Sequence, residues 1–139
     1  VQEEIGIRGA MVGAFAVEPD IGIAVDVTLA VDIPGIPEEE QITALGEGVA
    51  IKIMDSASVS SRELVDAFID LAEAQGIPHQ LEILPLGGTD AAALQRARSG
   101  AKVLTISVPC RYVHTVTETV HKSDLQAGVD LIVAYCSGA

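Results

Sequence analysis

The chain has 139 residues, with 20 acidic and 8 basic side chains, a net charge of −12, 49% apolar residues and 20% charged ones. That composition suits a single globular domain and excludes a disordered chain. With its few Lys and Arg scattered, it also excludes a nucleic-acid surface or docking on anionic membranes, both of which need clustered cations.

Ile21 to Leu29 (IGIAVDVTL) is a short run rich in Ile and Val and predicts a strand buried on both faces, as in parallel sheets. Ala30 to Gly48 follows, with Pro34, Pro37 and the acidic triplet Glu38-Glu39-Glu40, and reads as a long loop. Val49 to Met54 (VAIKIM) predicts a second strand. Ser60 and Glu63 have the spacing of a capping box ahead of a helix carrying Leu64, Val65, Phe68, Ile69 and Ala72, stopped by Gly76 and Pro78. Gln80 to Leu84 predicts a strand, and Thr89 to Arg98 a helix capped by Thr89. Ala101 to Val108 predicts another strand. Ser123 and Gln126 form a second capping box, before a helix with Leu125, Val129, Ile132 and Cys136 on one face. Strands alternating with helices define an α/β fold with a mixed, largely parallel sheet flanked by helices.

No run approaches the roughly 18 apolar residues of a membrane-spanning helix. Ile21 to Ile33 comes nearest and is broken by Asp26 and Asp32. No basic start precedes an apolar core, so no signal peptide is visible. Cys110 and Cys136 cannot build a disulfide framework and read as reduced thiols of a cytoplasmic protein. The chain opens on Val1 instead of Met, which reads as a processed product or a piece of something longer.

Several polar residues stand where chemistry is expected. Asp26 interrupts an apolar strand, where a carboxylate is costly unless paired or bound to a metal; capping a loop at a strand end is the other reading. Glu3 and Glu4 are adjacent. Neighbours on a regular strand point to opposite faces, so they share a site only if the backbone turns at a strand end, which Gly6 and Gly9 allow. His114 follows a strand by a few residues, where α/β sheets gather ligands. His79 and His121 sit in polar loops and read as structural. Gly87-Gly88-Thr89-Asp90 is a turn into a helix, without the Lys of a phosphate loop. Glu, Glu, Asp and His form an oxygen-and-imidazole donor set suited to zinc, cobalt or manganese. No Gly-x-Ser-x-Gly elbow is present.

Val1-Gln2-Glu3-Glu4-Ile5-Gly6-Ile7-Arg8-Gly9-Ala10 resembles the opening motif of the tetrahedral (TET-type) metalloaminopeptidases, which include glutamyl and deblocking aminopeptidases. Ala24-Val25-Asp26-Val27-Thr28, Leu86-Gly87-Gly88-Thr89-Asp90-Ala91 and Pro109-Cys110-Arg111-Tyr112-Val113-His114-Thr115 match in the same order. The resemblance implies a zinc-peptidase-like catalytic domain that removes N-terminal residues from peptides with two divalent metal ions, zinc or cobalt. It implies that Glu3 is the general base, that Glu4 and His114 bind one ion, and that Asp26 binds the other. It places Gly87, Gly88, Thr89 and Asp90 in a substrate-side supporting loop. A complete family site also has a His and a bridging Asp upstream of the first motif, and an inserted dimerisation domain lies upstream too. On that resemblance residues 1–139 are the C-terminal portion of the catalytic domain, inactive without the upstream portion. A homo-oligomer, the twelve-subunit assembly of the family, is likewise implied. Two other readings compete. One is a non-catalytic scaffold subunit of the same fold, which has no need of Glu4, Asp26 and His114. The other is an endoglucanase, to which adjacent glutamates, 3% aromatic residues and no Trp are poorly suited.

Overall fold

The computed structural model describes residues 1–138. In chain order it forms α1 (Arg8–Val17), β1 (Ile21–Leu29), a 3-10 turn (Glu38–Glu40), β2 (Val49–Met54), α2 (Arg62–Gln75), β3 (His79–Ile83), α3 (Ala91–Gln95), β4 (Lys102–Arg111), β5 (Thr119–Val120) and α4 (Lys122–Ser137). The sheet order is β1-β4-β2-β3, with β5 added to β4. The long pairings, β1 with β4 and β2 with β3, are parallel, and the short joints of β4 to β2 and β5 are antiparallel. The expected mixed, largely parallel α/β sheet is therefore what forms.

β4 is the central strand and is buried along nearly its whole length. One sheet face packs under α2 and α4. There Val49, Ile51, Leu104 and Ile106 meet Leu64, Val65, Phe68 and Leu131, and the Phe68 and Tyr135 rings lie 4.4 Å apart. The opposite face carries Ala24 and Val103 under Ala91 and Leu94 of α3. Gly22 is needed there, because a Cβ would meet Leu94 at 3.0 Å. β1 has the expected bounds but is not buried on both faces. It is the edge strand, and Val25 and Val27 stay exposed beyond the cover of the helices.

The helix ends differ from expectation in instructive ways. α2 begins after Ser61 with no side-chain cap. The Ser60 hydroxyl instead donates to the Lys52 carbonyl, and Glu63 pairs with Lys102. Tertiary partners thus outcompete the local box. Gly76 does end α2, in the left-handed conformation at φ 65°. α4 starts two residues earlier than Ser123 would set it: His121 is the cap, its Nδ1 accepting the Ser123 amide at 3.3 Å. α4 buries Ala127, Gly128, Leu131 and Ala134, while Leu125, Val129 and Cys136 are exposed. Small residues let the helix approach the sheet, as Gly128 does against Val49. α3 is shorter than expected, with Asp90 and not Thr89 at its start. Helix α1 was not anticipated. Its sequence is apolar nearly all round, yet it buries only Ala14 and leaves Met11, Val12, Phe15 and Val17 exposed.

Candidate active site

Glu3, Glu4, Asp26 and His114 line one cleft of about 560 Å³, together with Thr28, Leu29, Leu84, Leu86, Gly87, Gly88, Val113 and Glu118. Glu3 and Glu4 do not sit at a strand end. They lie in a turn that leads into α1, where the amides of Gly6 and Ile7 both donate to the Glu3 carbonyl. Gln2 and Ile7 flank that turn at φ 58° and 56°, and Gly6 lies at φ 118°. The turn does what an extended strand cannot: it presents neighbouring carboxylates to one cleft.

His114 comes from the loop after β4. Its ring Nε2 lies 3.0 Å from Glu4 Oε1, although 110 residues separate the two in sequence. The loop is held by the Glu118 carboxylate, which accepts the His114 amide at 2.7 Å. Tyr112 and His114 adopt φ 62° and 64°. Left-handed backbone at non-glycine residues costs on the order of 1–3 kcal/mol each and gathers at functional sites. Four such residues, Gln2, Ile7, Tyr112 and His114, bracket the Glu4–His114 contact.

Asp26 projects from β1, three positions before its end, and its Oδ1 accepts the Val27 amide at 2.7 Å. Burial raises its carboxyl above the ordinary value, and Asp90 and Glu4 add to that; the Val27 amide and Lys52 oppose it. Glu3 is raised too, first by burial and then by Asp26, Glu4 and Asp90, with His114 opposing. Crowded carboxylates in a cleft are the arrangement that a cation relieves.

Not every expected residue faces the cleft. Gly87 and Gly88 line it. Thr89 turns inward instead, its hydroxyl 3.0 Å from that of Thr105 and its oxygen accepting the Ala91 amide. One Asp90 carboxylate oxygen is buried without a partner. Glu118 and Thr28 were not singled out from sequence; the only signal for Glu118 was its place four residues after His114.

The donors suit divalent metals in part. Two ligands of one tetrahedral ion, at about 2.0–2.1 Å from it, stand about 3.3 Å apart. Glu4 and His114 already stand near that spacing. Among the described residues, however, no three His, Cys, Asp or Glu side chains converge tightly enough to hold an ion alone. The chain carries a carboxylate–imidazole pair and a separate aspartate on the same cleft.

With that geometry in place, the chain's kinship follows. It belongs to the M42 glutamyl aminopeptidase family, whose profile matches residues 1–131. It is similar to an aminopeptidase from the archaeon Desulfurococcus kamchatkensis, at 37% identity and a TM-score of 0.97, over 100% of this chain and 40% of that one. It is 35% identical to the lysyl aminopeptidase of Pyrococcus furiosus over 96% of this chain and 38% of that protein. The TET1 peptidase of Pyrococcus horikoshii, which can assemble into a tetrahedron or a large octahedral shell, matches at 36% identity and a TM-score of 0.83, over 97% and 38%. The chain thus spans about 40% of the length of these relatives.

Proposed function

We propose that this chain supplies part of the dinuclear metal centre of an aminopeptidase that removes N-terminal residues from peptides. The observation that carries the reading is the convergence of Glu3, Glu4, Asp26 and His114 on one cleft from three separate parts of the chain. Glu4 and His114 would hold one divalent ion, zinc or cobalt, and Asp26 a second, with the remaining ligands coming from a segment outside these residues. Such ions, when bound, polarise a scissile carbonyl and make water a better nucleophile near neutral pH.

This chain's own groups account for the rest. Glu3, next to Glu4 but turned to the same cleft, accepts the proton of the attacking water. It returns that proton to the departing amine as the C–N bond breaks and the new C–O bond forms. The Glu118 carboxylate that lines the cleft suits the free ammonium of a peptide N-terminus. Gly87 and Gly88 carry no side chains, so a substrate backbone can approach them closely. The two unpaired cysteines are consistent with a reducing, cytoplasmic setting. Self-association is proposed by analogy with the shell-forming relative.

The test is a chimera in which this chain replaces the matched segment of the Desulfurococcus enzyme, assayed on aminoacyl-p-nitroanilides and on cellulose after loading with zinc or cobalt. Peptidase turnover that falls at least about 100-fold in Glu3→Gln is expected. Full activity in Glu3→Gln, or hydrolysis of cellulose alone, would refute the reading. The isolated 139 residues are expected to show no turnover.

A further inference from the structure

Beneath the cleft lies a buried polar group that the proposed reaction does not use. Lys52 interrupts the apolar strand β2 and is 1% exposed. Its ammonium lies 3.0 Å from Glu82 Oε1 on β3 and 3.8 Å from Asp55 Oδ2. Both carboxylates are fully buried. Asp55 is satisfied locally by the amides of Ala57 and Ser58 and by the Ser58 hydroxyl. Glu82 is not. Its Oε1 accepts the hydroxyl of Thr28, which is 2% exposed, and its Oε2 has no partner.

Thr28 is the key to what this group can do. It stands two residues beyond Asp26 on β1, so the two side chains share a sheet face. Asp26, Ser107 and Ala50 form one row across β1, β4 and β2, and Lys52 lies two residues along β2 on that same face. β1 and β3 are opposite edges of the sheet. The Thr28–Glu82–Lys52 chain therefore ties the strand bearing Asp26 to the far side of the fold. As a source of stability such a device is poor. A buried ion pair is often matched or bettered by apolar residues of equal size. Its placement directly under the acidic cleft is what needs an explanation.

We propose that Thr28, Glu82 and Lys52 form a positioning clasp that fixes Asp26 for cation binding. This inference rests on the reading of Asp26 as a metal ligand. β1 lies at the sheet edge beside β4; at its carboxyl end Thr43 bridges Ala30 and donates its hydroxyl to the Leu29 carbonyl, and the clasp adds a side-chain anchor on the face that bears Asp26. Supporting groups behind a metal ligand typically change affinity by about 10–100-fold when removed.

The probe is Mn²⁺, whose paramagnetic broadening of amide NMR signals registers even weak binding in the 139-residue chain. Broadening confined to Asp26, Val27, Glu4 and His114 is expected in the unmodified protein. Thr28→Val should require at least about tenfold more Mn²⁺ to broaden Asp26 and Val27. Thr28→Ser, which keeps the hydroxyl, should restore the original response. Lys52→Met combined with Glu82→Met, which removes the clasp and leaves Asp55 to its own amide and hydroxyl donors from Ala57 and Ser58, should behave like Thr28→Val if that variant does not fold. Asp26→Asn separates the two ideas. Binding lost in Asp26→Asn but unchanged in Thr28→Val overturns the clasp and leaves the metal reading standing. Binding unchanged in Asp26→Asn overturns the metal reading itself. A fall in melting temperature in Thr28→Val with an unaltered Mn²⁺ response makes the clasp merely structural.

Discussion

Asp124 offers the sharpest test of how the long loop before β2 is held. It is fully buried in the first turn of α4. Its carboxylate accepts the Gly46 amide at 2.7 Å and the Gly48 amide at 3.1 Å, and the Ser123 hydroxyl lies 3.3 Å away. Asp124→Ala leaves both amides without their acceptor, the Gly48 amide in a buried position and the Gly46 amide in a partly buried one. Hydrogen bonds to a charged group contribute about 1.5–3 kcal/mol each, and the two share one acceptor group, so a loss of about 3–4 kcal/mol is expected. Asp124→Asn keeps one accepting oxygen but turns an NH₂ toward the other amide, and should lose about half as much. The assay is urea unfolding at neutral pH, read as a shift in midpoint at constant slope. Hydrogen exchange at Gly46 and Gly48 should accelerate in parallel. An Asp124→Ala protein within about 0.5 kcal/mol of the original would refute the reasoning, because that is the range of inert surface changes.

The remaining expectations concern other parts of the chain. Gly48→Ala should destabilise by at least about 2 kcal/mol, since the residue lies at φ 98° and a Cβ would sit 2.2 Å from the Pro78 carbonyl; a circular-dichroism melt unchanged from the parent would contradict it. Asp32 accepts two bonds from Arg111, at 2.7 and 2.8 Å, and the Leu45 amide at 2.9 Å. The Arg111 bond holds the Asp32 carboxyl below its ordinary 3.8. A depressed carboxylate stabilises the fold above its unfolded pKa, and the benefit is lost as pH falls through the folded value. Asp32→Asn should therefore cost about 1–2 kcal/mol at pH 7 and progressively less as pH falls below the ordinary carboxylate range, which stability curves at pH 7 and pH 2.5 would compare. Ellman's reagent should label Cys136 readily and Cys110 only on unfolding, because Cys110 is buried and its thiol is raised by that burial.

The sequence was most readable where short apolar runs set a strand locally. β1 and β2 begin and end where their apolar runs do. It was least readable where partners lie far off in sequence. Ser60 and Glu63 look like a capping pair, yet each finds a better partner on a strand. α4 shows Leu125 and Val129 outward, because the sheet selects small residues and not the most apolar face. At the site, motif order brought out Glu3, Glu4, Asp26 and His114, but not the turn that presents the glutamates together. That turn depends on left-handed Gln2 and Ile7, residues with no intrinsic tendency to signal it. Lys52 and Glu82 left a faint mark, as charges inside strands otherwise rich in Ile, Val and Leu. Thr28 left none.

The 110-residue separation of Glu4 and His114 has a consequence for biosynthesis. Among the described strands β1 pairs with β4, so neither the strand bearing Asp26 nor the loop bearing His114 can settle until β4 has been made. Such non-local pairing folds slowly and leaves apolar strand edges waiting for their neighbour. The nascent chain thus passes through a period in which Glu3 and Glu4 are already made but have no cleft to enter.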